Sequence, residues 1–192
     1  MQECRIAAIE LGCRRGERVL FSGVTFTLGP GEALQIVGAN GVGKTSLIRM
    51  IAGLLPAWSG KVERMGDIGL IDERHALDAA QPLRRALAFW QRLDGPADDQ
   101  LARLGLAGLA DVPVGYFSTG QKKRAAFARL LGQHAPVWLL DEPLNGLDKD
   151  GAALIQQLAD EHCRAGGICV VASHQPFALG GVTRLDLADY AP

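Results

Sequence analysis

The run Gly38-Ala39-Asn40-Gly41-Val42-Gly43-Lys44-Thr45 constrains this chain more than any other stretch. It fits G-x-x-x-x-G-K-[ST], a pattern with a physical rationale. Glycines let the backbone turn tightly, so that successive N–H groups converge on phosphate oxygens. A helix starting at the loop adds its partial positive charge. The flanks meet that requirement: Ala33–Val37 reads as a short apolar strand, and Ser46–Leu55 as a helix ended by Pro56. A chance match in a chain with 24 glycines is the competing reading, and the strand–loop–helix context argues against it. Gly38 through Ser46 is therefore the expected binding stretch for ATP. Lys44 is expected to reach the β- and γ-phosphates, and the Thr45 hydroxyl to be a Mg²⁺ ligand.

A strand that feeds such a loop belongs to an α/β core, and the rest of the chain supplies one. Val137–Leu140 and Ile168–Ala172 are unbroken apolar runs bounded by Pro136 and Gly167. Such runs suit central strands of a parallel sheet covered on both faces. Ala152–Arg164 is the helix between them. Residues 1–30 are β-like, with Ile6–Leu11, Val19–Phe21 and Val24–Leu28 separated by Gly12, Gly16 and Gly23. Residues 76–133 read as mostly helical: Leu83, Leu87 and Trp90 share a helix face, and Leu101, Leu104 and Leu106 mark a second, shorter helix. The expectation is an α/β core with an N-terminal antiparallel β flank and a helical insertion at about 76–133, in one domain spanning 1–192.

Composition narrows the function classes. The chain has 192 residues and a formal net charge of −1, so no strong basic field points to nucleic acid. Cys4, Cys13, Cys163 and Cys169 form no CxxC pair and read as free thiols. No apolar run reaches the roughly 18 residues of a membrane span. The start Met1-Gln2-Glu3-Cys4-Arg5 lacks the features of a signal peptide. A cytoplasmic chain with peripheral membrane contact is expected.

The run Val137–Leu140 ends in Asp141-Glu142. Asp141, at a strand's carboxyl end, is placed to hold Mg²⁺ through water. Glu142, one position on, would face the γ-phosphate and polarise an attacking water. Two acids closing a strand can also be a solvated strand end. His174 follows the strand Ile168–Ala172, either as a γ-phosphate contact or as a hydrogen-bonded histidine. Glu142, His174 and Lys44 are the expected catalytic residues. Ser118-x-x-Gln121 fits a capping box at the start of a helix that runs to about Leu131. Ser118 and Gly120 at a helix N-terminus also make an anion site.

Phe117-Ser118-Thr119-Gly120-Gln121 resembles the signature motif of ABC ATPases, usually Leu-Ser-Gly-Gly-Gln. The phosphate loop, Leu139-Leu140-Asp141-Glu142-Pro143, Asn145-Gly146-Leu147-Asp148 and Ser173-His174 follow that family's order over essentially the whole chain. The resemblance implies a head-to-tail homodimer with two ATP molecules between the subunits. Ser118, Gly120 and Gln121 of one subunit would meet the nucleotide held by Lys44 of the other, and Asn145–Asp148 would link the two sites. It also implies integral-membrane permease partners, with this chain peripheral on the cytoplasmic face of the inner cell membrane. Gly31–Ile36, Ile51–Leu55, Ala135–Pro143 and Ser173-His174-Gln175-Pro176 are similar to the branch serving haem export and cytochrome c maturation. Haem would there be cargo of the membrane subunits, not a ligand of this chain.

The sequence departs from the family pattern in places. An adenine-stacking aromatic is replaced by Arg14 and Arg15; Arg15 can lie on the base as a guanidinium plane or be a solvated charge. The usual Gln after the strand Ile68–Ile71 is absent from Asp72-Glu73-Arg74, and Arg74 is the nearest equivalent. Thr119 replaces the first signature glycine. Arg74 with Leu77 and Leu83 would receive a permease helix, unless these leucines pack the insertion's own core. Competing functions are an ABC transporter ATPase for another cargo, a soluble ABC ATPase, a binding module without hydrolysis, and a small-molecule kinase. The absence of a second cassette and of a coiled-coil run argues against the soluble class, the intact Lys44–Asp141–Glu142–His174 set against the binding module, and Phe117–Gln121 against the kinase.

Overall fold

The computed structural model describes residues 3–94 and 100–192. Met1 and Gln2, and residues 95–99 of the expected insertion, lie outside the described residues.

Two sheets carry the architecture. In the first, β1 (Arg5–Arg15) lies between β2 (Arg18–Leu28) and β4 (Ser59–Met65), both antiparallel to it. The second is parallel, in the order β5-β6-β7-β3-β8, from β3 (Ala33–Val37), β5 (Ile68–Ile71), β6 (Val137–Asp141), β7 (Ile168–Ala172) and β8 (Thr183–Asp186). The α/β core and antiparallel flank are as the sequence leads one to expect. Only Gly16 of the three early glycines forms a turn between strands. Gly12 and Gly23 lie within β1 and β2, where register shifts absorb them.

Side-chain alternation divides the core in two. Leu34, Ile36, Val137, Leu139, Ile168 and Val170 face a cluster with α1 (Lys44–Ile51) and the antiparallel sheet. Ala33, Trp138, Leu140, Cys169 and Val171 face a cluster with α2 (Leu83–Asp94), α3 (Thr119–Gly132) and α4 (Lys149–Arg164). A strand covered on both faces has no polar side to spare, which is why β6 and β7 are fully buried. Ala172 pairs with Ile36 of β3 and with Asp141 of β6, so the carboxyl ends of these strands lie at one level.

Other expectations are corrected. α1 stops at Ile51, before Pro56, because Gly53 at φ 78° breaks the helix earlier. Leu101, Leu104 and Leu106 are buried, but on turns and not on a helix; Gly105 at φ 65° interrupts the run. Leu77 and Leu83 are 7% and 0% exposed and pack the core beneath α2, so they offer no docking surface. All four cysteines are free and buried.

Candidate active site

β3 delivers the chain to the phosphate loop. Gly38, Gly41 and Gly43 have φ of 135°, 80° and 120°, values that L side chains rarely adopt. A Cβ on Gly38 would also lie 2.9 Å from Val42 Cγ1, and one on Gly43 2.9 Å from the Phe21 ring. The loop is thus wedged between its own Val42 and strand β2. Ala39, Asn40 and Gly41 form its exposed crest. α1 opens after Gly43 with no side-chain cap and no acid in its first turn. Its first N–H groups are thereby available to an anion.

Lys44 is 7% exposed. Its Nζ donates to the carbonyls of Gly38 (2.9 Å) and Ala39 (3.3 Å) and lies 3.9 Å from Glu142 Oε1. The other Glu142 oxygen is 2.9 Å from His174 Nδ1. Residues distant in sequence, on α1 and after β6 and β7, thus converge on one carboxylate. Glu142 has φ 46°, a left-handed backbone uncommon outside glycine. Its N–H donates to Ala172 O at 2.8 Å, which holds it to the end of β7.

Asp141 is 3% exposed. Burial raises its carboxyl above the usual carboxylate range, against a hydrogen bond from Thr45 that lowers it. Its Oδ1 has no hydrogen-bond partner. A buried, unpaired carboxylate oxygen beside a hydroxyl is a hard oxygen donor set, which fits Mg²⁺. Ser46 is buried behind Thr45 on α1.

The start of α3 forms the capping box: Gln121 N donates to Ser118 Oγ at 3.2 Å, and Ser118 N to Gln121 Oε1 at 2.9 Å. The Gln121 side chain is occupied by that cap. A Cβ on Gly120 would lie 2.9 Å from Gly146 O, and one on Gly146 2.7 Å from Thr119 Cγ2. The helix start and the 145–148 loop are in contact within one chain, and Thr119 is the residue that fills the gap. Asp148 in turn caps α4 through Gly151 N at 2.8 Å.

Arg15 stands exposed at the end of β1, opposite Arg18 in register. Phe21, further along β2, carries this hairpin against the phosphate loop. Arg14 lies over Trp58, 5.9 Å from the ring centroid. Arg74 is exposed, and its N–H donates to Asp72 at 2.8 Å. From that stretch it is Asp72 and Glu73 whose charges act on Asp141.

Gln35 and Lys123 are buried polar residues bonded to segments beside the site, Gln175 and Glu142, and the sequence reading missed both. Gln35 Nε2 donates to Gln175 O at 2.8 Å and so steadies the turn after His174. A lone glutamine in the buried strand Ala33–Val37 is the signal that could have found it. Lys123 is 4% exposed. It stands four residues before buried Phe127 and seven before buried Leu130, a helical phase that outranks its place in a basic run.

The ABC transporter family profile matches residues 21–145. The cytochrome c biogenesis ATP-binding export protein of Novosphingobium aromaticivorans is 50% identical over 192 residues, all of both chains. That of Zymomonas mobilis is 44% identical over 97% of this chain and 82% of its own. Among solved structures, cbiO1 of Clostridium perfringens, part of an ABC transporter complex, superposes with a TM-score of 0.71 at 28% identity, over 88% of this chain and 78% of that one. With the phosphate loop, the Asp141-Glu142 strand end and the Ser118–Gln121 helix start in the family's order, the chain belongs to the ABC transporter family, as an ATP-binding ATPase of its cytochrome c biogenesis export branch.

Proposed function

We propose that this chain, acting as one domain over residues 1–192, hydrolyses ATP to drive membrane subunits of a transporter for cytochrome c maturation. Haem, or a haem adduct, is the cargo of those subunits. The observation that carries the chemistry is the Glu142 carboxylate flanked by Lys44 at 3.9 Å and His174 at 2.9 Å. The names of the relatives support the transport setting.

In this reading Gly38–Ser46 wraps the phosphates with backbone N–H groups, and Lys44 turns its ammonium from the loop carbonyls to the β- and γ-phosphates. Thr45 and Asp141 would hold Mg²⁺, which neutralises charge on the phosphate oxygens. Glu142 accepts a hydrogen bond from the attacking water and orients it. His174 is hydrogen-bonded to that carboxylate and contacts the γ-phosphate. Arg15 covers the adenine.

Ser118 and Gly120 face the nucleotide of a second copy in a head-to-tail dimer. No helix among the described residues is long and apolar enough to cross a membrane. The transport step belongs in this reading to integral-membrane permease subunits. They dock beside α2, where Phe89 is 54% exposed and a groove of about 540 Å³ is lined by Asp78, Gln81, Arg85 and Arg92. In this reading the chain is peripheral, on the cytoplasmic face of the inner membrane.

The test is Glu142→Gln. Phosphate release with Mg²⁺–ATP should fall at least a hundredfold, while ATP binding persists and gel filtration shows a dimer. Near-normal turnover would refute the assignment.

A further inference from the structure

Among the described residues, the buried lysines are Lys44 and Lys123. The first is explained by the phosphate loop. The second, on α3, lies just past the Ser118–Gln121 helix start and takes no part in its capping box. A buried ammonium is costly unless it is paired and hydrogen-bonded. Burial pushes the Lys123 amine down, while Asp141, Glu73, Asp72 and Glu142 act to hold the proton on. Its hydrogen bond goes not to a carboxylate but to a backbone: Nζ donates to Glu142 O at 3.2 Å.

That carbonyl belongs to the residue with the left-handed backbone at φ 46°. A non-glycine residue keeps such a conformation only where its surroundings over-determine it. The Glu142 N–H is fixed by Ala172 O, and its carbonyl also receives Asn145 N at 3.3 Å. Lys123 supplies the charged donor on the carbonyl side, and charge-assisted bonds are the stronger ones.

We infer that Lys123 is a positioning residue for hydrolysis. From just over one turn inside α3 it holds the Glu142 carbonyl, and with it the backbone that aims the carboxylate at Lys44 and His174. The inference rests on the reading of Glu142 as the group that orients water. It also gives α3 two tasks: its first turn carries Ser118 and Gly120, and its next carries the hold on Glu142.

Lys123→Met, measured on the full chain with Mg²⁺–ATP, should lower kcat tenfold or more. KM and the ATP dissociation constant should stay within about twofold whatever the change in Tm, because the lost ammonium contacts the Glu142 backbone and not the nucleotide. In Lys123→Ala, added ethylammonium should restore part of the lost turnover at unchanged KM. A wild-type kcat in Lys123→Met overturns the inference. So does a loss of kcat and Tm together with a raised KM and no rescue by the amine, which is the signature of a packing role. Glu142→Gln in the same assay separates the two readings. If it turns over normally, the role of Glu142 itself is lost; if it is inactive while Lys123→Met is normal, only the positioning role is lost.

Discussion

Gly146→Ala tests the contact between the signature helix and the 145–148 loop. Gly146 sits at φ 79°, where an L side chain costs roughly 1–2 kcal/mol. The new Cβ would lie 2.7 Å from Thr119 Cγ2 and 3.2 Å from Thr119 Cβ. Threonine is stiff at χ1, so the backbone must yield, and overpacking of this kind costs about 1–3 kcal/mol. The sum is a destabilisation of about 2–5 kcal/mol, or a fall in Tm of roughly 4–20 °C for a chain of this size. Thr119→Gly removes both clashing carbons but leaves the φ cost. On its own it should cost less than about 1 kcal/mol. The double variant should therefore be more stable than the sum of the singles by about 1–3 kcal/mol. Urea unfolding of the four proteins gives this coupling directly. Additive effects within about 0.5 kcal/mol would refute the reasoning, because they would mean that Thr119 and Gly146 do not share the space.

Lys44→Ala should weaken ATP binding ten- to a hundredfold by calorimetry, through loss of a charge-assisted phosphate contact; unchanged affinity at physiological salt contradicts the phosphate-loop reading. Ser118→Ala removes the cap of α3 and should cost about 1 kcal/mol in urea unfolding, with no change if the box is dispensable. Burial lowers the His162 pKa, so its ring stays neutral in the fold and gains a proton on unfolding. Stability should accordingly fall as pH drops through 6.5, the ordinary histidine value, toward the lower folded value. His162→Phe, which preserves the stack on Trp138, should remove part of the loss seen between urea midpoints at pH 7.5 and 5.5. Phe89→Asp should leave ATP turnover of the isolated chain intact and abolish co-purification with the membrane subunits; intact assembly would move the docking site elsewhere.

Legibility in the sequence followed burial. β3, β6 and β7 announce themselves because strands covered on both faces leave an unbroken apolar run. The phosphate loop is legible because its backbone needs glycine at fixed offsets. β4, with the sequence Ser-Gly-Lys-Val-Glu-Arg-Met, is an edge strand with mostly exposed side chains, and carries no comparable signal. The leucines at 101, 104 and 106 have helical spacing, yet a chain of turns buries them equally well; spacing reports which residues are inside, not the path between them. Lys123 was hidden by its neighbours. Within Lys122-Lys123-Arg124 it reads as one more solvated charge, and only the phase of the helix shows it turned inward. Asp72 and Glu73, beside Arg74, were equally hard to read: their charges act on Asp141 only because the end of β5 lies next to β6 in the sheet.

The shared level of Ile36, Asp141 and Ala172 has a consequence for how the chain tolerates changes of length. One extra residue inside β6 or β7 advances everything after it by about 3.3 Å and turns alternate side chains to the opposite face. Glu142 and His174 would then part company while each segment kept a perfectly acceptable composition. Insertions should be excluded from these short strands and collect instead where the chain leaves that level, between Gln175 and the start of β8. Divergent copies of this protein can thus drift in size at their periphery, but their catalytic centres should remain superposable residue for residue.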